Sequence, residues 1–501
     1  MDTIFSIRPF IAVLISLFVV PFIILSGKKP NLREGWTFAA AISKFLIIAS
    51  MVPVILHGAE IEYTIAKVLP GLAVKFRVDA FGILFALVSS SLWIVTSAYS
   101  VGYMRGLKEH SQTRYFCFFA LSLSATVGVA FSANLLTLYL FYEMLSFATY
   151  PLVTHHQDME ARSSGRKYLL YIVGSSIGFV LPAMLVTYYM TGDLEFANQG
   201  FMTGHGTPAI NLILLLLFLF GFAKAGIMPF HSWLPAAMVA PTPVSALLHA
   251  VAVVKVGAFC VFRVITGVFG TECLSKTITT GLPIHLNTLI CVIASFTIIT
   301  ASLIALSQDG LKRRLAFSTI GQLSYIVLGA ALLSPKGLTG GMLHIAMHAF
   351  GKITLFFCAG AIFVTTGIKN ISEMVGIGKK MPITMTAFFI GSLSVIGLPP
   401  CGGFISKWYL VLGTLEADQW VMLAVLLSSS FLNAAYFLPI VYKAFFCTPE
   451  ASMFENKIGE APPWCLIPLK ITALVSIILF FYPQPFLRLA RVAVQGITGG
   501  F

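Results

Sequence analysis

Charged residues are scarce in this 501-residue chain: Asp, Glu, Lys and Arg together make up 10% of it, whereas 58% is hydrophobic. About a quarter of the residues of an ordinary soluble domain are charged. The composition therefore excludes a soluble globular protein and indicates a polytopic membrane protein. The net charge is +13, but the basic residues are scattered in short loops, which argues against nucleic-acid binding.

Motifs that bind cofactors are also missing. The eight cysteines never form a Cys-x-x-Cys pair, and none lies beside a histidine at metal-ligand spacing, so we predict neither an iron–sulfur nor a zinc site. No glycine-rich phosphate-binding sequence follows a strand-like segment. We therefore expect no cofactor, no metal and no catalytic redox site in this chain. Whether it serves as a subunit of an oxidoreductase stays open.

Long apolar runs dominate the chain instead. A helix needs about 20 apolar residues to cross a bilayer, and about fourteen such runs predict an all-α membrane protein with almost no room for a soluble domain. They lie near 8–27, 37–57, 78–102, 113–131, 134–153, 168–191, 209–230, 242–266, 286–306, 316–333, 339–366, 383–411, 419–446 and 465–488.

Prolines interrupt the seventh and twelfth of these predicted helices. The first break contains Pro229 and Pro235, and the second contains Pro399 and Pro400. Unwound backbone at membrane depth persists only inside protein or beside water, and paired breaks mark the transport site of many transporters. Their separation by five helices predicts two inverted five-helix repeats. The predicted division is 1–110 for accessory helices 1–3, 111–268 for the first repeat, 284–446 for the second repeat and 447–501 for helix 14.

Four lysines stand out because they lie inside long apolar runs, and one carboxylate is comparably embedded in a predicted span. They are Lys224, Lys255, Lys352, Lys407 and Glu143. A charge at the bilayer centre costs about 2.5–3.5 kcal/mol on insertion scales, so these residues must face protein or a wet cavity. A buried lysine can release and recapture a proton. The pattern predicts a proton pathway, with Lys224 as the natural partner of Glu143, although a purely structural ion pair would fit the same residues.

Three histidines extend this set. His344, His348 and Lys352 are spaced at i, i+4 and i+8, which places them on one face of helix 11, and Lys407 continues the line. His249 lies six residues before Lys255, so these two point to different faces. The two helix-11 histidines could instead be hydrogen-bonded core residues or a structural metal pair, but no third ligand accompanies them.

Several strings together resemble a known family. They are MPFHSWLPAAMVAPTPVSALLHAVAVVKVGAF at 228–259, LFYEMLS at 140–146, LKRRLAFSTIGQLSY at 311–325, HIAMHAFGKITLFF at 344–357 and GLPPCGGFISKW at 397–408. The chain resembles the antiporter-like membrane subunits shared by Mrp-type sodium/proton antiporters, membrane-bound hydrogenases and respiratory complex I. Within that family it looks most like the D-type subunit of Mrp-type antiporters.

The resemblance implies a proton-translocating subunit of a multisubunit Na+/H+ antiporter, whose partners are other membrane subunits, including homologous antiporter-like ones. Sodium would pass through a partner, because one carboxylate among lysines is a poor sodium site. The alternative is a proton-pumping subunit of a hydrogenase or an NADH-quinone oxidoreductase. Sixteen Lys and Arg in one set of loops against eight in the other predict that both termini lie outside the cytoplasm, in the plasma membrane of a prokaryote.

Overall fold

The structure is a computed structural model that describes residues 3–69, 72–279, 283–448 and 459–499. Lys457, one of the loop residues behind the predicted orientation, lies outside these ranges. Helices account for most of the described residues, as predicted. They form one extended hydrophobic core.

The first part of the chain contains three long helices and a small sheet. Asp79 caps the third helix by accepting a 2.7 Å hydrogen bond from the Gly82 backbone N–H. The sheet has the order β1-β2-β3, with β1 parallel and β3 antiparallel to β2, and it is an addition to the predicted all-helical fold. The elements are β1 (Thr3–Phe5), α1 (Arg8–Leu25), α2 (Pro30–Leu56), β2 (Glu60–Leu69), β3 (Leu72–Val78) and α3 (Ala80–Gly106).

The next part holds the first broken helix. Two of its helical stretches, Met159–Thr191 and Thr242–Lys276, run on through internal π-helical turns. The helices are α4 (Gln112–Ala130), α5 (Leu135–Val153), α6 (Met159–Ser175), α7 (Leu181–Thr191), α8 (Pro208–Gly221), α9 (Trp233–Ala236), α10 (Thr242–Ala246), α11 (Val253–Arg263) and α12 (Gly270–Lys276).

The last part is built around a central helix, α15, which is 32 residues long and almost wholly buried. The predicted span 465–488 is too long, because Pro483 lacks a backbone N–H and separates two helices there. The helices are α13 (Leu286–Ser307), α14 (Leu311–Ala331), α15 (Pro335–Thr366), α16 (Pro382–Ile396), α17 (Gly402–Glu416), α18 (Trp420–Phe446), α19 (Pro463–Phe481) and α20 (Gln484–Thr498).

Ten helices in the described ranges are long and apolar enough to cross a membrane. Two shorter apolar helices, Pro208–Gly221 and Pro382–Ile396, are the halves that precede the two breaks. The chain is thus a multi-pass membrane protein. The count of about fourteen spans and the inverted five-helix repeats stay predictions.

The first predicted break lies between α8 and α9. A 3₁₀ turn, Ala223–Ala225, carries Lys224 and ends at Gly226, whose φ is +70°. The indole N–H of Trp233 donates a 3.0 Å hydrogen bond to the Ala223 carbonyl, and the Met228 N–H donates to the Thr297 hydroxyl at 3.2 Å. Side chains therefore replace some of the helical hydrogen bonds that the break removes, as buried backbone requires.

The second predicted break separates α16 from α17. Gly397 adopts a left-handed φ of +88° at the end of α16, and Pro399 and Pro400 follow it in the connecting turn. Lys407 lies on α17, and its ammonium donates a 2.9 Å hydrogen bond to the carbonyl of Ile396, in the last turn of α16. The carboxyl end of a helix carries partial negative charge, so it stabilises the lysine cation.

A close backbone approach sets the position of the first break. A Cβ at Gly257, on α11, would lie 2.0 Å from the Ala225 nitrogen and 2.2 Å from the Lys224 carbonyl carbon. We expect Gly257→Ala to destabilise the fold by more than the roughly 1–3 kcal/mol of ordinary overpacking, because backbone must move. The midpoint of thermal unfolding and the monodisperse fraction in size-exclusion chromatography measure the loss of stability. Gly35→Ala is the control, since a Cβ there would meet no described atom beyond its own chain neighbours and helix backbone within 4 Å. Equal behaviour of the two variants would contradict the prediction.

Candidate functional site

Lys224 is fully buried beside α5. Its ammonium donates 2.7 Å hydrogen bonds to the Tyr142 carbonyl and the Ser146 hydroxyl, and it lies 3.2 Å from the centroid of the Tyr142 ring. A lysine cation is attracted to an aromatic face as well as to oxygen acceptors. Oxygen acceptors and an aromatic ring therefore solvate the ammonium, and no carboxylate among the described residues contacts it.

The predicted contact between Glu143 and Lys224 is wrong. Neither carboxylate oxygen of Glu143 is exposed, and neither has a hydrogen-bond partner among the described residues. The reason is helical geometry: Tyr142 and Ser146 are four residues apart and share the face of α5 that meets Lys224, whereas Glu143 is rotated away from it. Glu143 is thus an acid with buried oxygens that is not the direct partner of the lysine.

Lys255 joins the two halves of the chain. Its ammonium lies on α11, 2.7 Å from Nδ1 of His348 on α15, and both side chains are buried. These residues are 93 positions apart. Lys224 and Lys255 both fall in the predicted first repeat, 111–268, and Lys255 contacts the histidine line of the second half.

His344 continues the line from His348. Their rings are 5.5 Å apart and nearly parallel, as the i, i+4 spacing predicts. One nitrogen of His344 lies 2.9 Å from the Ser406 hydroxyl, and the other lies 3.0 Å from the Gln322 side-chain oxygen. Through its two ring nitrogens, His344 thus links Gln322 of α14 to Ser406 of α17.

Lys352 forms a branch one turn further along α15. Its ammonium donates a 2.7 Å hydrogen bond to the Ser318 hydroxyl, which also accepts a 2.9 Å hydrogen bond from the Tyr436 hydroxyl. The same tyrosine hydroxyl contacts Asn433. A string of hydroxyl and amide groups therefore extends from Lys352 to α18.

Lys407, the last of the predicted pathway lysines, lies at the second break. Besides the Ile396 carbonyl, its ammonium donates to the Ser430 hydroxyl at 3.1 Å and lies 4.7 Å from the centroid of the Tyr325 ring. Tyr325 in turn stacks on His344 at 5.5 Å. The tyrosine ring thus separates Lys407 from the histidine line.

His249 is a predicted pathway residue that lies outside the hydrogen-bonded groups described above. Its ring packs against Phe356 at 4.7 Å, and neither ring nitrogen has a hydrogen-bond partner among the described residues. The prediction that His249 and Lys255 point to different faces agrees with this placement.

Sequence reasoning missed one buried lysine and all of the neutral bridging groups. Lys44, on α2, is fully buried and donates hydrogen bonds to the Ser16 hydroxyl at 2.6 Å and to the Leu123 carbonyl at 3.0 Å. A charge inside the predicted span 37–57 was the signal available for it. The bridging residues gave no comparable signal, because uncharged polar side chains inside a span do not require a charged partner. They are Ser318, Gln322, Tyr325, Ser406, Ser430 and Tyr436.

Comparison with known proteins relates this geometry to a family. Residues 132–433 match the family described as NADH:quinone oxidoreductase/Mrp antiporter, TM. The NADH-quinone oxidoreductase subunit N of Desulforudis audaxviator is 32% identical over 446 residues, covering 87% of this chain and 86% of that protein. The A-type subunit of the Na(+)/H(+) antiporter of Alkalihalophilus pseudofirmus is 29% identical over 96% of this chain.

The chain spans only part of its antiporter relatives. It covers 61% of the Alkalihalophilus antiporter protein. It covers 48% of the A/B-type subunit of the probable K(+)/H(+) antiporter of Rhizobium meliloti, which is 30% identical over 98% of this chain. The closer resemblance to the D-type subunit within the family stays a prediction.

Solved structures share the fold over nearly the whole chain. A chain of the Mrp complex from Dietzia sp. DQ12-45-1b superposes with a TM-score of 0.83 at 21% identity, covering 97% of both chains. A chain of the membrane-bound sulfane sulfur reductase, an archaeal respiratory membrane complex, gives 0.84 at 23% identity and covers 98% of both. With the family match over more than half of its length, this chain belongs to the NADH:quinone oxidoreductase/Mrp antiporter family of membrane subunits.

Proposed function

We propose that this chain is the proton-translocating subunit of a multisubunit membrane complex of the Mrp-type Na+/H+ antiporter class. The observation that carries the proposal is the 2.7 Å contact between Lys255 and His348, which links the two halves of the chain. We place His344 and Lys407 on the same proton route, with the Tyr325 ring lying between them. Glu143 and Lys224 supply the other end of the route.

Electrical energy is sufficient to drive such a route. Moving one elementary charge through 100 mV is worth about 2.3 kcal/mol. A change of one pKa unit corresponds to about 1.4 kcal/mol. The membrane potential and the protonation of a buried lysine can therefore drive each other.

The relatives support two kinds of parent complex. Those named as Na(+)/H(+) antiporter subunits favour an antiporter, in which we place the sodium path in a partner subunit. The named NADH-quinone oxidoreductase subunit N favours a redox complex as the second candidate. The purified complex separates them: flavin, nickel or iron–sulfur absorbance would indicate a redox complex, and sodium-dependent proton exchange without these chromophores would indicate an antiporter.

For the membrane itself, we propose the plasma membrane of a prokaryote with both termini on the non-cytoplasmic side. In this proposed orientation, strands β2 and β3 lie on the non-cytoplasmic side, which carries the smaller number of loop lysines and arginines. Labelling of a cysteine placed in the β2–β3 hairpin by a membrane-impermeant reagent, in intact cells, tests this orientation. Labelling only after the cells are opened would contradict it.

Lys407→Ala should block proton flux in vesicles that contain the complete complex. The change removes the cation held between the Ile396 carbonyl and Ser430, and with it the proton carrier at the second break. Pyranine fluorescence inside the vesicles measures the flux. Lys336→Ala, at an exposed lysine near the start of α15, is the control. Normal flux in Lys407→Ala would place the exit of the pathway in the first half of the chain.

A further inference from the structure

Two loops on one side of the helical bundle bring four potential metal ligands together. The loop between α3 and α4 contributes Glu109 and His110, and the loop between α5 and α6 contributes His155 and His156. One carboxylate oxygen of Glu109 lies 3.8 Å from a ring nitrogen of each of the three histidines. The ligand atoms of Glu109, His110 and His156 all lie within 4.8 Å of one another.

These ligand types suit a tetrahedral metal ion. Zinc binds histidine nitrogen and carboxylate oxygen at about 2.0–2.2 Å, so neighbouring ligand atoms around it are about 3.4 Å apart. The 3.8 Å contacts of Glu109 and the separations of up to 4.8 Å within Glu109, His110 and His156 are wider than this spacing, so the side chains would have to rotate inward to hold an ion. Imidazole ligands favour zinc, nickel or copper over magnesium and calcium, which prefer oxygen alone.

The buried position of His155 is consistent with a role as a metal ligand. Its side chain is 0% exposed, and neither ring nitrogen has a hydrogen-bond partner within the described ranges. A buried polar group without a partner is costly and needs an explanation. Glu109 has no lysine or arginine within 4.0 Å among the described residues, and the basic nitrogens within that distance are those of the three histidines.

The two loops hold their ligands in a defined geometry. Arg114 donates a 2.8 Å hydrogen bond to the His155 carbonyl, and Gln112 donates a 3.1 Å hydrogen bond to the Glu109 carbonyl. Lys108, Ser111 and Gln157 all have positive φ, and they are three of the five non-glycine residues with this conformation in the described ranges. Residues with a Cβ adopt it rarely, and such positions concentrate at functional sites.

We propose that Glu109, His110, His155 and His156 form a binding site for a divalent transition metal of the zinc class. The bound ion would cross-link the α3–α4 loop to the α5–α6 loop. It would thereby restrain the end of α5, the helix that carries Glu143. The proposal is independent of the proton pathway, since it rests on loops outside the buried line.

Cobalt absorption tests the site directly. The purified complex, stripped with chelator and titrated with Co2+, should bind one ion at this site with the intense visible bands of a tetrahedral ion, and Zn2+ should displace it. His110→Ala and His156→Ala should each weaken binding by at least about tenfold, the loss that removing even an outer partner of a ligand causes. These side chains are 49% and 34% exposed, so the variants should fold.

Two further variants make the result specific. His205→Ala, at an exposed histidine in a distant loop, should leave binding unchanged. His156→Cys should retain the ion and add a thiolate-to-cobalt charge-transfer band in the near ultraviolet, because thiolate is also a zinc-type ligand. Absence of saturable tetrahedral Co2+ binding, or equal binding in the parent and both alanine variants, would overturn the proposal.

Discussion

Proton transport should fall to background when Lys224 is replaced by alanine, while the complex still assembles. The change removes the titratable ammonium that Tyr142 and Ser146 hold at the first break. A positioned acid–base group contributes about 100-fold or more to a proton-transfer rate. Pyranine-loaded vesicles report the flux, and co-purification of the partner subunits reports assembly.

Lys224→Arg distinguishes proton transfer from a purely structural charge. Arginine keeps the positive charge but cannot release its proton in a protein. We expect this variant to be inactive as well, and the exposed Lys28→Ala to be normal. Activity near the parental level in Lys224→Arg would show that the site needs only a charge.

Glu143→Ala should have the same effect as Lys224→Ala, although the two side chains do not touch. Glu143 is the carboxylate embedded in an apolar run of the first half, and its buried oxygens have no hydrogen-bond partner in the described part of the chain. Its charge therefore acts on the lysine through space in a medium of low dielectric constant. Near-normal flux in Glu143→Ala would remove it from the pathway.

A double-mutant cycle on Lys255 and His348 should show complete coupling. Each single alanine variant should reduce the flux by about 100-fold or more, since each removes one end of the contact that joins the halves. The double variant should be no slower than either single variant, because the step is already lost. Flux rates in vesicles, normalised to the assembled complex, measure the four corners of the cycle.

Additive losses would contradict this prediction, because they would mean that the two residues act in separate routes. His249→Ala is the matched control. It replaces another buried histidine near the same helices, but one that packs on Phe356 without a hydrogen bond to any described residue. A loss in His249→Ala as large as that in His348→Ala would show that the effect comes from packing.

Some of this site could be predicted from local sequence. A lysine inside an apolar run has a large free-energy cost in hydrocarbon wherever its helix packs. The sequence alone therefore predicts the importance of Lys224, Lys255, Lys352 and Lys407. The proline pairs Pro229/Pro235 and Pro399/Pro400 likewise mark the helix breaks. Single prolines such as Pro151 lie inside continuous helices. Lys44 lies inside the apolar run 37–57, so the same argument predicts that it is buried in protein.

Contacts between helices could not be predicted in this way. The pairing of Lys255 with His348, the rotation of Glu143 away from Lys224 and the bridging role of Ser318 depend on how separate helices are turned and placed against one another. Small polar residues add little to the hydropathy of a span, so their role becomes visible only when a partner lies beside them.

The sequence by itself determined that this protein is a membrane-spanning helical bundle with costly buried bases and two interrupted helices. These properties follow from the energy of placing each residue in hydrocarbon, which is local to the chain. Only the tertiary structure decided which groups touch and where the two halves connect. It also brought Glu109 together with three histidines from two loops, because contact at hydrogen-bond distance depends on packing between elements far apart in sequence.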